Sequence, residues 1–298
     1  MQSSLLSVQA AALSSDFRES LRLARSLKFQ GVTLDAAAPV DLTQLSHTGY
    51  REVSNLVRSN DLTIVGLRAT LDRKGLGVKA DLDRQVAVID RAMDAAVKLL
   101  APLVCVDLLA LPQPPMQTKP KPKISPEQAG LILIPSLESP AEPETPPVKV
   151  DTAALSQVQS VLMEIGARAD RRGVRVAFSA GLSSFAALTF AIDSARCPWF
   201  GVDLNPVDVL RDDWDIDEVL STLAKQLFHV QVKDAVVGTD RRTQPALVGQ
   251  GDVNWRELMD RLKEADYRGA FTVDPTEQND RIRASRAAID VIAAQQPQ

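Results

Sequence analysis

Four polar side chains, Asp203, Gln231, Lys233 and Asp274, stand at or near the ends of short apolar runs. The runs are Phe200–Pro206, Phe228–Asp234 and Gly269–Pro275. Together these side chains offer two carboxylates, an amide and an ammonium. A carboxylate can take a proton from carbon or give an oxygen to a divalent cation. An ammonium can hold an oxyanion or a phosphate as a point charge, or it can pair structurally with Asp203 or Asp274. Asn205, near the end of the first of these runs, and Ser179, near the end of Val174–Ala180, add neutral oxygens for a substrate. Arg68 stands near the end of the run Leu62–Leu71 and is followed by Arg73, Lys74 and Lys79. That group can be a substrate-phosphate site or a solvated basic loop.

Alternation says which of these side chains share a face. In Phe228–Asp234, the apolar Phe228, Val230 and Val232 fall on one side of a strand, and His229, Gln231 and Lys233 on the other. In Gly269–Pro275, Ala270, Thr272 and Asp274 fall together, opposite Phe271 and Val273. His229 sits one step below Gln231, where a hydrogen-bonded core histidine and a ligand are both open readings.

Strand and helix signals alternate along nearly the whole chain. Strand-like runs are read at 5–13, 31–36, 62–71, 103–111, 174–180, 200–206, 228–234 and 269–274. Between them lie amphipathic segments at helical spacing, the first with Asp16 and Glu19 placed as a capping box. Eight strand–helix pairs predict an α/β fold, a single (β/α)8 barrel over residues 1–298. An open doubly wound sheet fits less well, because no glycine-rich phosphate turn follows the first strand. In a closed parallel barrel, the C-terminal strand ends carry the chemistry, which is where the polar residues stand.

One stretch breaks the alternation. Residues 112–150 hold eleven of the eighteen prolines, with Lys119, Lys121 and Lys123 among them. Proline blocks helix interiors and central strands, so this is an insertion after the fourth strand, expected on the active-site face. A lid and a surface insertion are both open for it, and Leu131–Ile134 reads as a short docked strand.

The segment from Gln231 onward carries a family likeness. Gln231-Val232-Lys233-Asp234, Gly249-Gln250-Gly251, Asn254-Trp255 and Val273-Asp274 follow one another in order. This order and spacing resemble the xylose-isomerase-like TIM-barrel superfamily of sugar phosphate isomerases and epimerases. Those proteins show His-x-Lys-Asp, Gly-Glu-Gly, an Asp-Trp pair and a strand ending in Glu. The resemblance implies proton transfer next to a carbonyl, on a small sugar or polyol. It also implies divalent-metal ligands from strands five to eight, usually Glu, Asp, His and Glu. Here those places hold Ser179, Asp203, Gln231 and Asp274, so Asp203, Asp274 and Gln231 are the expected metal ligands. Only Asp203 is unchanged. The altered set predicts weak binding of a divalent metal such as Mg²⁺ or Mn²⁺, or none. Asp274 and Lys233 are the expected catalytic residues, and Asn205, Gln231, Ser179 and Arg68 the expected substrate contacts. The alternative is a catalytically impaired relative that binds a small polar ligand or a partner through the same mouth.

Composition narrows the rest. Hydrophobic residues make up 45 % of the chain, enough for a full core. A net charge of −4 excludes nucleic acid as the main partner. No run approaches the ~18 apolar residues of a membrane span, and the first residues lack a basic leader, so a cytosolic protein is expected. Cys105 and Cys197 show no paired spacing, and Cys105 reads as a small buried hydrophobe. Two histidines are too few for a multi-zinc cluster.

Overall fold

A computed structural model describes residues 5–77, 80–114 and 151–295. Lys79, the Leu131–Ile134 strand and most of the expected insertion lie outside these residues. The strands are β1 (Leu6–Gln9), β2 (Gly31–Asp35), β3 (Thr63–Ala69), β4 (Leu103–Asp107), β5 (Arg175–Ser179), β6 (Phe200–Leu204) and β7 (Leu227–Val232). They continue with β8 (Asp234–Val237), β9 (Thr243–Ala246) and β10 (Ala270–Val273). Eight of them, all in parallel, close a barrel in the order β1-β10-β7-β6-β5-β4-β3-β2. This is a (β/α)8 barrel.

The barrel wall follows from strand parity. Val104, Val106, Val176, Phe178, Val202, Leu204, Val230, Val232, Phe271 and Val273 are buried in the main core, with the helical Ile89, Met93, Leu162 and Ile165. Several helices start where short polar side chains can receive free N–H groups. Asp16 accepts from Glu19 N–H, Asp151 from Ala154 N–H and Ser184 from Ala187 N–H. No helix among the described residues is long and apolar enough to cross a membrane.

Several elements differ from the sequence expectation. The first strand stops at Gln9, and Ala10–Leu13 forms a helical turn, as its alanines favour. The helix between β2 and β3 starts at His47, because Ser46 caps it through Gly49 N–H. Phe228 does not share the face of Val230 and Val232. An irregularity in the β6–β7 register turns it onto Leu103, Cys105 and Ala177. Its ring fits because Gly201 has no side chain to meet it. From Asp234 the chain forms an antiparallel hairpin, β8–β9. Pro245 is tolerated in it because a two-stranded ribbon leaves each strand a free edge.

Candidate active site

The barrel interior is polar on the β10–β1–β2 side. Ser7, Thr33 and Thr272 are fully buried and share hydrogen bonds of 2.6 Å (Ser7 to Thr272) and 3.1 Å (Thr33 to Thr272). His229 joins them, its Nε2 2.6 Å from Thr272 Oγ1. Its Nδ1 lies 2.6 Å from Asp203 Oδ1, and Gln231 Nε2 donates to Asp203 Oδ2 at 2.8 Å. Burial opposes the charge of Asp203, but His229, Arg68 and the Gln231 amide outweigh it and hold the carboxyl below its usual range. Both Asp203 oxygens are therefore engaged inside the protein.

Above this layer opens a cavity of about 400 Å³ at the C-terminal strand ends. Arg68, Asn205, Gln231, Lys233 and Asp274 all line it. On one wall, Lys233 Nζ lies 3.2 Å and Arg68 Nη1 3.5 Å from Asp274 Oδ2. Lys233 also reaches Glu277 at 3.7 Å, and Thr276 N–H donates to Asp274 Oδ1 at 3.1 Å. Burial would raise the Asp274 carboxyl, but the two cations and Thr276 overcome it and hold the group far below its usual range. Arg68 keeps Nε and Nη2 buried, with no hydrogen-bond partner among the described residues.

The other wall is built from the ends of β4, β5 and β6. Leu109 N–H donates to Asp107 Oδ1 at 2.8 Å. Gly181 lies against that carboxylate, and a Cβ there would overlap it. Asn205 caps the short helix Pro206–Arg211 through Val207 N–H at 3.2 Å. Asp208 on that helix is 5 % exposed and lines the cavity, with Arg211 Nη1 3.2 Å from its Oδ1. Arg211 is shared, since Nη2 also donates to Gly181 O and to Asp212 Oδ2 at 2.6 Å each. Burial, with the negative charges of Asp107 and Asp212, pushes Asp208 up to about 7 against the pull of Arg211. Burial raises Asp107 as well.

A family model described as xylose isomerase-like TIM barrel matches residues 21–295. The chain belongs to this family. Solved structures with the same fold include a xylose isomerase domain protein from Planctomyces limnophilus, 18 % identical with a TM-score of 0.70, covering 98 % of this chain and 95 % of that one. D-Psicose 3-epimerase from Clostridium cellulolyticum H10, solved with D-tagatose, is 13 % identical with a TM-score of 0.67, over 97 % and 98 %. The 3-keto-D-glucoside 4-epimerase of E. coli is 14 % identical with a TM-score of 0.67, over 98 % and 100 %. Comparison with curated protein sequences gives no match.

The family likeness implies a divalent cation, and the residues here do not fit one. At Asp274, the position that would ligate it, an ammonium and a guanidinium already stand within 3.5 Å. Gln231 turns its amide nitrogen, a donor, toward Asp203. Cys105, Asp203 and His229 do cluster, their ligand atoms within 4.8 Å of one another. Yet the 2.6 Å between His229 and Asp203 is hydrogen-bond spacing. Two donors of one tetrahedral ion, each ~2.0–2.1 Å from it, stand about 3.3 Å apart. Burial also pushes the Cys105 thiol well up, which keeps it a poor ligand.

The structure thus brings together Arg68, Asn205, Gln231, Lys233 and Asp274, and leaves two expected residues aside. Asp203 is 2 % exposed and sealed behind Gln231, because both its oxygens are spent. Ser179 is buried and is not part of the cavity wall formed by the described residues. The motif around Asp234 proves to be a clasp. Asp234 accepts from the N–H groups of Ala235, Gly249 and Val253 and from Trp255 Nε1. A Cβ at Gly251 would overlap its carboxylate. Those glycines and that tryptophan hold the β8–β9 hairpin and the following helix on the barrel. Sequence reasoning passed over Asp107, Asp208 and Arg211. The strand-end rule was enough for Asp107, but the run on through Leu108, Leu109 and Leu111 disguised where β4 ends.

Proposed function

We propose that the chain acts on a small sugar or polyol, as a sugar phosphate isomerase- or epimerase-like protein, by proton transfer next to a carbonyl. One observation carries this reading: Lys233 and Arg68 converge on Asp274 at the wall of a cavity of about 400 Å³, sized for a small ligand. In this arrangement the two cations face the carbonyl oxygen, or a phosphate, where the family likeness implies a metal. Asp274 holds them in place, and Asn205 and Gln231 meet hydroxyl groups. The epimerases that share the fold support the substrate class. Calorimetric titration with a ketohexose and a ketopentose, each free and as its terminal phosphate ester, tests the reading. Saturable binding that weakens at least about tenfold in Lys233→Met is expected. No binding of any of the four rejects it.

A second reading has its own observation. Asp274 is tied to two cations and is a weak base. A catalytically impaired relative that only binds such a ligand would bind the probes without exchanging their protons with solvent.

A further inference from the structure

The proposed chemistry needs a base, and the expected residues do not supply one. Asp274 is ion-paired twice. Asp203 is sealed off. The Glu277 side chain is 60 % exposed and reaches Lys233 at 3.7 Å. We propose that Asp208, on the helix after β6, is the general acid–base residue of this cavity, with Asp107 and Arg211 as its positioning residues. The assignment rests on the reading that a carbonyl sugar binds in the mouth.

The geometry is that of a held carboxylate in the wall of the cavity. Asp208 lies in the first turn of the helix that Asn205 caps, directly after β6, so the strand end fixes its place at the cavity. Arg211 holds Oδ1 and is itself tied to Gly181 O and Asp212. Arg68, Gln231, Lys233 and Asp274 line the same cavity. In the forward step the C–H bond next to the carbonyl breaks and its proton passes to the Asp208 carboxylate. The C–H electron pair becomes the C=C bond of an enediolate, and the carbonyl π pair moves to oxygen, where Lys233 and Arg68 hold the charge. Return of the proton from Asp208 to the former carbonyl carbon completes isomerisation, as the neighbouring hydroxyl passes its proton to the enediolate oxygen and becomes the new carbonyl; return to the original carbon regenerates the substrate. Its return to the same carbon from the other side needs a second donor, so a single base fits isomerisation better than epimerisation.

The surroundings suit the role. Arg211 and Asp212 face Asp208 from its own helix, and Asp107 from the end of β4. At the β7–β8 junction, Lys233 is turned to Asp274, and Asp234 is spent on its clasp. With the carboxyl pushed up to about 7, both protonation states are populated near neutrality, as a group that takes and returns a proton requires.

The test uses the full chain in deuterated water with the same four ketose probes. Proton NMR follows deuterium uptake next to the carbonyl across a pH series, and calorimetry follows binding. Wild-type exchange is expected to rise through an inflection near neutrality. Asp208→Asn should lose at least about a hundredfold in exchange while still binding the probe. Asp208→Glu, which keeps the carboxyl, should retain part of the exchange, and retained binding shows that either variant is folded. Exchange unchanged in Asp208→Asn overturns the assignment, as does binding without exchange in the wild type, which leaves the binding reading standing. No binding of any probe overturns both.

Discussion

Asp274 and Asp208 line one cavity with the same side chain, are 9 % and 5 % exposed, and are driven in opposite directions. Burial raises both. Asp274 has two cations and two Thr276 donors to answer it. Asp208 has one guanidinium, which Asp212 and the Gly181 carbonyl also claim, and it looks toward Asp107. Burial sets the cost of the charge, and the supply of uncommitted cations decides which state survives. One wall is therefore held ionised at neutral pH and the other is poised near neutrality. A proton-transfer site needs that separation of roles.

Removing Arg68 attacks the ionised wall hardest. Arg68→Met takes one cation from Asp274 and a compensating charge from Asp203. Breaking a buried pair from one side costs about 3–5 kcal/mol, so urea unfolding at neutral pH should show a loss of that size. A loss under ~1 kcal/mol would mean that the wall is held together by something else.

The pH dependence of stability separates the walls by sign. The folded Asp208 carboxyl lies above its unfolded value, so the unfolded chain binds fewer protons between about pH 4 and 7, and stability falls as pH rises through that window. Asp208→Asn should remove that slope and raise stability at pH 8 by on the order of a few kcal/mol. Asp274 is the reverse case. Its contribution is complete above the unfolded carboxylate range and is lost as pH falls through the depressed folded value. Asp274→Asn should flatten the acid limb. Equilibrium unfolding across pH checks both, and equal slopes in the two variants would erase the distinction.

Arg211→Met is the mildest probe. It removes the one cation on Asp208, so the exchange inflection should move to higher pH while the acid limb set by Asp274 stays in place. A shift to lower pH would mean that Arg211 does not govern Asp208.

The eightfold alternation made the barrel legible, because strand parity alone decides which side chains meet the helices. Parity also placed Gln231 and Thr272 inside. It failed at Phe228, where a register irregularity reversed one residue. It was silent on Asp208, which sits on a helix and obeys no strand period. Nor can spacing show that Gly249, Gly251 and Trp255 close on one carboxylate. That needs the three-dimensional approach of backbone to side chain. The sealing of Asp203 depended on which way the Gln231 amide faces, and a linear sequence carries no record of that.

The most direct test of a mouth organised by cations in place of a metal is calorimetric titration of the wild-type chain with Mn²⁺, alongside Ser179→Glu combined with Gln231→His. The two substitutions restore a carboxylate and an imidazole at the positions the family likeness assigns to ligands. The arrangement of Lys233 and Arg68 on Asp274 predicts no saturable binding tighter than about 1 mM in the wild type. Gain of binding in the double variant would show that the ligand positions of the family are still in place. Tight Mn²⁺ binding by the wild-type chain would contradict the account.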